Sequence, residues 1–523
     1  MSAINTPRLR SRVKPACALV ILVALSASCA RHADNIIRFG LATVPVTLDP
    51  RFATDATSYR LCRLLYSALV DFDTKFRPIP ALATWEVLAP TRYRFHLQRA
   101  PRFHDGTVLG ASDVVATYQA ILNPARASPH RGALLNVRTV SARDSKTIDF
   151  ELIKPDPQFP GLLVIGILRA ADATRDALPE IPIGSGPFRL VTQLTPTRVA
   201  VERVADGQRI DFLVTPNETT RALKLARGEL DLAQNDFSPD LIGWLRQQPG
   251  LTVTRRAGTV FSYLGLNLAR GPTRDPHVRL ALGLALDRAT LVHYLFRDQA
   301  RLANTELVPE HWAGDADVPA IPFDQARSRE LLRRAGFDSG HPLVLHYKTS
   351  TDNFRRRIAT IFQAQLHQVG VELQIETHDW GTLYGDIKAG RFEIFSLSWV
   401  GLQSPDIFRH AFHSTALPPA GANRGHYANP RVDALIEQAE TAADNDTQAR
   451  FYRELQAILQ RDLPYIPLWF EDTVFVHGPR VIGYDTDLNG HYDGLSKIMP
   501  RVARALPGPS SHADDFARRL RPD

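Results

Sequence analysis

Asp287 and Arg288 stand side by side in RDPHVRLALGLALDRATLV, a mostly apolar stretch that spans residues 274–292. If the whole stretch were one helix, Asp287 would fall on a stripe of leucines, and Arg288 would align with Ala281 and Val292. Burying either charge is costly unless the charge is paired. The stretch therefore contains either a buried acid–base pair with catalytic potential, or a helix that ends before Asp287.

Other residues could serve as a base or a nucleophile, but each has a structural explanation. Asp105 precedes Gly106 in a predicted turn, and Asp113 lies at the start of a predicted helix. Cys62 lies in SYRLCRLLYSALVDF, whose leucines recur at helical spacing, so we expect a buried structural thiol there. The sequence lacks the motifs GxxxxGKS/T, GxSxG and HExxH. A hydrolase with Asp105 or Asp113 as its base has little support, and we expect no enzymatic activity.

Three histidines could bind a metal ion. His410 and His413 are three residues apart in RHAFHS, and His426 follows downstream. Helical spacing could bring two imidazoles together, but no flanking carboxylate or thiolate completes a ligand set. We therefore expect loop or surface histidines, no metal site and no cofactor. Binding of a nickel chelate or haem stays an alternative, and it requires these histidines to face the ligand.

The amino terminus has the layout of a secretory signal. A basic head without acids precedes an apolar run of about a dozen residues, which is too short to span a bilayer. Cys29 directly follows LSAS, and this arrangement resembles the signal of bacterial lipoproteins, which is cut before the cysteine. We expect a signal peptide at 1–28, lipid attachment and membrane anchoring at Cys29, a linker at 29–35, and a loose tail at 506–523.

The exported part of the chain carries little net charge. The signal holds four of the positive charges behind the formal net charge of +7, and no basic run interleaved with aromatics follows it. We therefore expect no nucleic-acid partner. With Cys17 in the signal and Cys29 acylated, Cys62 would be left without a partner, so no internal disulfide is expected.

Strand and helix patterns alternate along the chain. The strand patterns PLVLHYKT and VELQIETHDW, for example, flank the helix pattern RRIATIFQAQLHQVG. Alternation of this kind favours an α/β fold over a sandwich or a helix bundle.

Several motifs, taken in order, resemble the extracytoplasmic solute-binding proteins of ABC importers, specifically family 5, the peptide/nickel class. Each motif alone is weak, but their order along residues 38–500 makes the set specific. The matching segments are FHDGTVLGASDV, GSGPFRL, LARGELDLA, YLGLNLARGPTRDPHVRLALGLALDR, FDQARSRELLRRAGF and YANPRVDALIEQA.

This resemblance implies an α/β, periplasmic-binding-protein-like type II fold, in which two hinged lobes close on a ligand and an extra subdomain (cluster C) marks the class. It also implies a monomeric periplasmic receptor that binds a peptide or peptide-like small solute and delivers it to ABC permease membrane subunits. The implied ranges are 36–76, 180–265 and 472–505 for lobe I, 77–179 for the extra subdomain of lobe I, and 266–471 for lobe II.

The segment FSLSWVGLQSPDIFRHAF bears on the ligand. In peptide-binding relatives, a tryptophan here is followed three residues later by an aspartate that pairs with the ligand's α-ammonium. In this chain Trp399 is followed by Leu402, and a leucine cannot replace a charge-assisted bond typically worth about 1.5–3 kcal/mol. The resemblance therefore implies that another acid takes the amine, or that the ligand lacks a free amine at this place.

The resemblance also places residues near the ligand or the hinge. Trp399 would form an aromatic wall of the cleft, and Ser398 and Gly401 would offer backbone groups to an extended ligand. Ser185 and Gly186 lie by the first crossover, where a role in hinge geometry is implied. The other expected ligand contacts are Leu402, Tyr263, Asn267, Thr54 and Asp55.

The same resemblance bears on Asp287 and Arg288. Asp275 and Pro276 are suited to begin one helix, and Asp287 is suited to be the N-cap of a second helix, RATLVHYLF. Such a cap contributes about 1 kcal/mol or more. We expect Arg288 to turn outward or to pair locally, and an unbroken helix through residue 287 would contradict this interpretation.

Overall fold

The computed structural model describes residues 35–98, 100–419, 421–442 and 444–500. The expected signal peptide (1–28), the expected lipidation residue Cys29 and the expected tail (506–523) lie outside these residues. Within the described part of the chain, no helix combines the length and the apolar character needed to cross a membrane.

The strands are β1 (Ile36–Leu41), β2 (Val70–Phe72), β3 (Pro78–Pro80), β4 (Ala83–Ala89), β5 (Arg92–Leu97), β6 (Val137–Ala142), β7 (Thr147–Leu152), β8 (Phe188–Leu190), β9 (Arg198–Arg203), β10 (Arg209–Val214), β11 (Leu232–Gln234), β12 (Thr252–Leu266), β13 (Ala300–Leu302), β14 (Leu343–Ser350), β15 (Val371–His378), β16 (Ile394–Trp399), β17 (Tyr465–His477), β18 (Val481–Ile482) and β19 (Met499–Pro500).

The helices are α1 (Ala56–Leu65), α2 (Ala111–Leu122), α3 (Ala170–Ala173), α4 (Glu218–Ala226), α5 (Pro239–Leu245), α6 (Pro276–Ala285), α7 (Arg288–Thr290), α8 (Gln325–Arg334), α9 (Asn353–His367), α10 (Trp380–Lys388), α11 (Ile407–Phe412), α12 (Pro430–Thr441) and α13 (Asn445–Asp462). Short 3-10 turns span Pro124–Arg126, Pro129–Leu134, Phe159–Leu162, Pro272–Arg274 and Asp493–Ser496, and a π-helical turn spans Leu291–Leu295.

Most of the strands form one mixed sheet in the order β15-β14-β16-β12-β17-β11-β1-β10-β9-β8, with β13 also paired to β17. β14 runs parallel to both β15 and β16, and α9 and α10 supply the connections between these strands. Parallel neighbours need such helical crossovers, which cover the sheet faces. The expected α/β class is confirmed.

Two long antiparallel strands, β12 and β17, lie in the middle of this sheet. β17 also pairs with β11 on one side, and β12 also pairs with β16 on the other. The register between β12 and β17 shifts between Arg256 and Val260. These strands therefore join a first half of the molecule, built around β1 and β8–β11, to a second half, built around β14–β16.

A separate antiparallel sheet, β4-β5-β7-β6, lies within the range expected for the extra subdomain. The helix α2 supplies Tyr118 to its core, where the Phe150 ring makes edge-on contacts with Tyr118 and Phe95, each at 5.5 Å between centroids. The first half of the large sheet buries its own core around Phe39 and Tyr492, and the second half buries another. Each of these three units thus has its own apolar interior.

The structure confirms the predicted helix break at Asp287. α6 ends at Ala285, and the Asp287 carboxylate accepts a hydrogen bond from the Thr290 N–H at 3.0 Å, as an N-cap does. Asp275 caps α6 in the same way, at 2.8 Å from the His277 N–H.

The expectation that Arg288 turns outward or pairs locally is wrong. Its side chain is buried and donates hydrogen bonds to the backbone carbonyls of Ala303, Pro467 and Ile321, at 3.2, 2.7 and 2.6 Å. These carbonyls belong to three separate segments of the chain, one of them β17, and the guanidinium satisfies them together. Burial lowers the pKa of Arg288 to about 10. Asp287 and Arg288 thus serve different structural roles rather than forming a catalytic pair.

Candidate ligand-binding site

A cavity of about 380 Å³ lies in the second half of the molecule. Thr349 and Ser350 line it from the carboxyl end of β14, and Ser398 and Trp399 line it from the carboxyl end of β16. Ligand sites in open α/β sheets form at such ends, because the loops that follow the strands leave a crevice there. The fold therefore places this cavity where a small ligand is most readily bound.

Aromatic rings form the wall of the cavity. Trp399 lies face to face with Tyr263 of β12, at 6.5 Å between ring centroids and 12° between planes. Trp380 stacks on Tyr384 within α10, at 5.3 Å and 9°. Rings of this kind contribute large apolar contact areas together with polar edges.

A chain of polar contacts runs along one side of the cavity. The Ser398 and Ser262 hydroxyls are 2.7 Å apart, and Ser262 donates to the Glu471 carboxylate at 2.8 Å. Arg355, in the first turn of α9, donates to the same carboxylate oxygen at 2.8 Å. Burial acts against ionisation of Glu471, but the Arg355 charge keeps the pKa of Glu471 below its ordinary value. Glu471 in turn raises the pKa of Arg355, so both groups are charged and neutralise each other.

A second arginine, Arg424, lies among the aromatic rings. Its guanidinium carbon is 5.1 Å from the ring centre of Trp399 and 5.4 Å from that of Tyr384. It donates to the hydroxyls of Tyr263 at 3.3 Å and Tyr384 at 3.4 Å. The cavity therefore combines aromatic surface, hydroxyls and two cations, which suits a polar solute with apolar parts.

Three of the residues expected to contact the ligand line this cavity: Ser398, Trp399 and Tyr263. Gly401 and Leu402 follow Trp399 without lining it. Gly401 is exposed with φ at 68°, and Leu402 is half-buried against apolar neighbours. The side chain at position 402 thus adds no polar group to the cavity.

The structure does not bring Asn267, Thr54 or Asp55 to this cavity. Asn267 is buried, and its amide group donates to the Phe392 carbonyl at 3.0 Å and accepts from the Ala269 N–H at 3.1 Å. Asp55 is the N-cap of α1, and Thr54 is the exposed residue before it. Asn267 and Asp55 therefore hold the local backbone in place.

Ser185 and Gly186 pack against the carboxyl end of α1. Ser67 donates its hydroxyl to the Ser185 carbonyl at 2.8 Å, and the Gly186 N–H donates to the Leu65 carbonyl at 2.9 Å. A Cβ on Gly186 would lie 2.4 Å from the Leu64 carbonyl oxygen, so this backbone approach needs glycine. These contacts all lie within the first half, whereas β12 and β17 are the strands that join the halves, and the hinge role of both residues stays a prediction.

Sequence reasoning missed Arg355, Arg424, Trp380 and Tyr384. Arg355 carried a signal, because it lies just before the predicted helix RRIATIFQAQLHQVG and a few residues after the predicted strand PLVLHYKT, where ligand contacts concentrate. Arg424 lies in the loop GANRGHY, which has no periodic pattern, so only the folded structure shows that it meets the rings.

The three histidines do not come together as a metal site. The His410 ring lies edge-on to Trp399 at 5.9 Å, while buried His413 is held by the Thr415 hydroxyl at 2.8 Å. Burial lowers the pKa of His410, and the charge of Arg424 lowers it further. In the described residues, no group of three or more His, Cys, Asp or Glu side chains is arranged to hold a metal ion.

The residues considered for catalysis have the structural roles that were predicted. Asp105 accepts hydrogen bonds from the N–H and the hydroxyl of Thr107, which hold the pKa of its carboxyl below the ordinary value. Asp113 accepts from the Gly110 N–H at 2.8 Å and from the Ala170 N–H at 2.7 Å. Cys62 is buried, and burial raises the pKa of its thiol. Both carboxylates thus hold the local backbone in place, and the thiol lies in the interior.

Comparison with known proteins assigns the chain to a family. Residues 75–416 match the model described as bacterial extracellular solute-binding proteins, family 5 Middle. The chain belongs to family 5. The expected family and the type II fold with two lobes are thereby confirmed, and so is the general function of solute binding for an ABC importer. The nickel-chelate or haem alternative is not favoured.

Individual known proteins resemble most of the chain. Di/tripeptide-binding protein 2 of Pseudomonas aeruginosa (strain UCBPP-PA14) is 28% identical over 492 residues, covering 86% of this chain and 92% of the relative. The glutathione-binding protein of Escherichia coli (strain K12) is 26% identical and covers 89% of this chain and 95% of the relative. The solved structure of NikA from Brucella suis in complex with Fe(III)-EDTA has a TM-score of 0.80 at 21% identity, over 89% of this chain and 100% of that one.

Proposed function

We propose that this family 5 protein captures a peptide or peptide-like small solute in the cavity beside Trp399 and delivers it to the membrane subunits of an ABC permease. The observation that carries the proposal is the cavity itself. Its volume of about 380 Å³ lies at the lower end of the roughly 300–1,000 Å³ of small-ligand sites, and its wall combines aromatic rings with a few polar groups. Relatives named for di/tripeptides and glutathione support a solute of this size.

Contacts between the two halves support capture by closure. Asp240 of α5 in the first half receives hydrogen bonds from Arg297 at 2.7 Å and Arg357 at 3.3 Å in the second half. The amide groups of Gln158, beside the β4-β5-β7-β6 sheet, and Gln448, in the second half, meet at 2.5 Å. A solute that binds the joined state more tightly than the separated state shifts the population toward it.

The site supports a solute without a free ammonium group beside Trp399. Leu402 stands where peptide-binding relatives are expected to carry an aspartate, and it contributes no acceptor to the cavity. None of the described residues that line the cavity is an aspartate or a glutamate, and Glu471 behind them is already paired with Arg355. An ammonium placed here would lack a carboxylate partner and would lie near the Arg424 guanidinium.

The proposal also covers the cellular location of the protein. Residues 1–28 direct export, a lipid on Cys29 anchors the mature protein at the membrane, and the monomer works in the periplasm without chemically changing its solute. The signal layout and LSAS before Cys29 support the anchor, and the membership in an extracellular family supports export.

Native mass spectrometry of the mature protein purified from cell extract tests this function, together with thermal shifts across a peptide library. We expect a co-purified solute of peptide size, released unchanged, and a raised melting temperature with a subset of the peptides. Trp399→Ala should abolish the shifts, whereas Trp244→Ala, at another half-buried tryptophan outside the cavity, should retain them. The absence of both a co-purified solute and any shift would overturn the proposal.

A further inference from the structure

We infer that Arg424 is the anion-binding residue of this cavity, and that the captured solute carries a carboxylate that pairs with its guanidinium. This inference rests on the proposed function, and it names the chemical class of the solute.

The first argument is the burial of an unneutralised charge. Arg424 is 7% exposed, and its charge is not matched by an anion: within the described ranges, no carboxylate lies within 4.0 Å of its guanidinium. The hydroxyls of Tyr263 and Tyr384 accept from it, but at 3.3 and 3.4 Å these are long contacts to neutral groups. Removing a charge from water is costly without a counter-charge, and an anionic solute would supply one.

The second argument is the contrast with Arg355. Both arginines line the same cavity, yet Arg355 is paired with Glu471 at 2.8 Å. The local charge balance around the cavity is therefore positive by one, and that charge is Arg424. A solute that carries an anionic group complements this balance, whereas a neutral or cationic solute does not.

The third argument is orientation. The guanidinium is held among Trp399, Tyr384 and Tyr263, which themselves line the cavity, so its place is fixed by stacking and by hydroxyl contacts. Five N–H groups are available on a guanidinium, and the two tyrosine hydroxyls use two of them. The planar fork that remains matches a carboxylate, which it can bind through two parallel hydrogen bonds.

Peptides in four matched forms test the inference: free, N-acetylated, C-amidated, and blocked at both ends. The affinities of the library members that bind are measured by calorimetry. We expect amidation to weaken binding to the wild-type protein by roughly 10-fold or more, the usual range for losing a charged hydrogen-bond partner. N-acetylation should change the affinity by less than about 3-fold, since the cavity offers no acid to the amine.

Variants assign the effect to Arg424. Arg424→Gln should bind the free and amidated forms with equal affinity, whereas Arg431→Gln, at a nearby exposed arginine paired with Glu454, should keep the wild-type ratio. If Arg424→Gln does not fold, Arg424→Met replaces it, because methionine keeps a long apolar side chain against the rings.

The outcomes separate the inference from the proposed function. Binding without a preference for the carboxylate form, or a preference that survives in the Arg424 variant, overturns the inference and leaves solute capture standing. The absence of both a co-purified solute and any bound peptide overturns both, and a co-purified solute without a carboxylate overturns the inference alone.

Discussion

At the scale of single residues, three buried charges differ in what compensates them. Arg288 satisfies three backbone carbonyls, and Arg424 is surrounded by aromatic rings and hydroxyls. Glu306 is 3% exposed, and its Oε2 atom has no hydrogen-bond partner among the described residues. Ionisation of Glu306 therefore lowers the stability of the folded protein.

This difference predicts a pH dependence. Burial raises the pKa of Glu306 from 4.5 to about 7. Between these values the folded state holds a proton that the unfolded state has released, so the stability falls as pH rises through this window. Glu306→Gln removes the ionisation. In urea unfolding, we expect the variant to be more stable than the wild type at pH 8, by up to about 3 kcal/mol, and equal to it near pH 4.5.

The control for this prediction lies in the same segment. Glu310 is partly exposed and pairs with Arg301, so Glu310→Gln should change the unfolding free energy by less than about 0.5 kcal/mol at either pH. A Glu306→Gln protein that is less stable than the wild type at pH 8 would contradict this prediction.

At the scale of elements, the junction of the two halves depends on the register shift between β12 and β17. Gly258 lies in this shift, and a Cβ there would be 2.2 Å from the carbonyl oxygen of Glu471. Gly258→Ala should therefore lower the midpoint of urea unfolding, since backbone must move, at a cost of about 1–3 kcal/mol. Gly283 in α6 is the matched position, because a Cβ there meets Ile321 at an ordinary 3.5 Å. Gly283→Ala should be neutral or stabilising by up to about 1 kcal/mol, and equal loss in both variants would contradict this view.

The secondary-structure elements also show which features of this molecule could be predicted from its sequence. Local rules predicted the helix break, because an N-cap needs one carboxylate next to the backbone it serves. They failed for Arg288, whose three acceptors come from segments distant in sequence. Ordered motifs predicted the family and three residues of the cavity, whereas Arg424 and Tyr384 meet Trp399 only after β16, α10 and a loop have packed together. Residues that meet only through tertiary packing have no regular spacing along the chain, so no sequence pattern reveals their contacts.

At the scale of the whole molecule, solute capture needs halves that can separate as well as join. Polar contacts to the second half include those of Asp240 with Arg297 and Arg357 and that of Gln158 with Gln448, and the buried Phe76 ring stacks on His311 at 5.2 Å. Exposed ion pairs such as those of Asp240 contribute about 0–1 kcal/mol each, so these pairs cost little to break when the halves separate. A bound solute can then supply the main difference in free energy between the two states.

Delivery to a permease also benefits from holding the whole molecule at the membrane, and this predicts different outcomes for two cysteines. Three acyl chains on the amino-terminal cysteine would give stable attachment, since a single chain binds only marginally. We expect Cys29→Ser, expressed from the full-length sequence in a Gram-negative host, to move the protein from the membrane fraction to the soluble fraction. Cys62→Ser should stay with the membranes, because the Cys62 thiol is buried in the first half and burial raises its pKa. Fractionation followed by immunoblotting measures both, and a Cys29→Ser protein that remains in the membrane fraction would rule out this anchor.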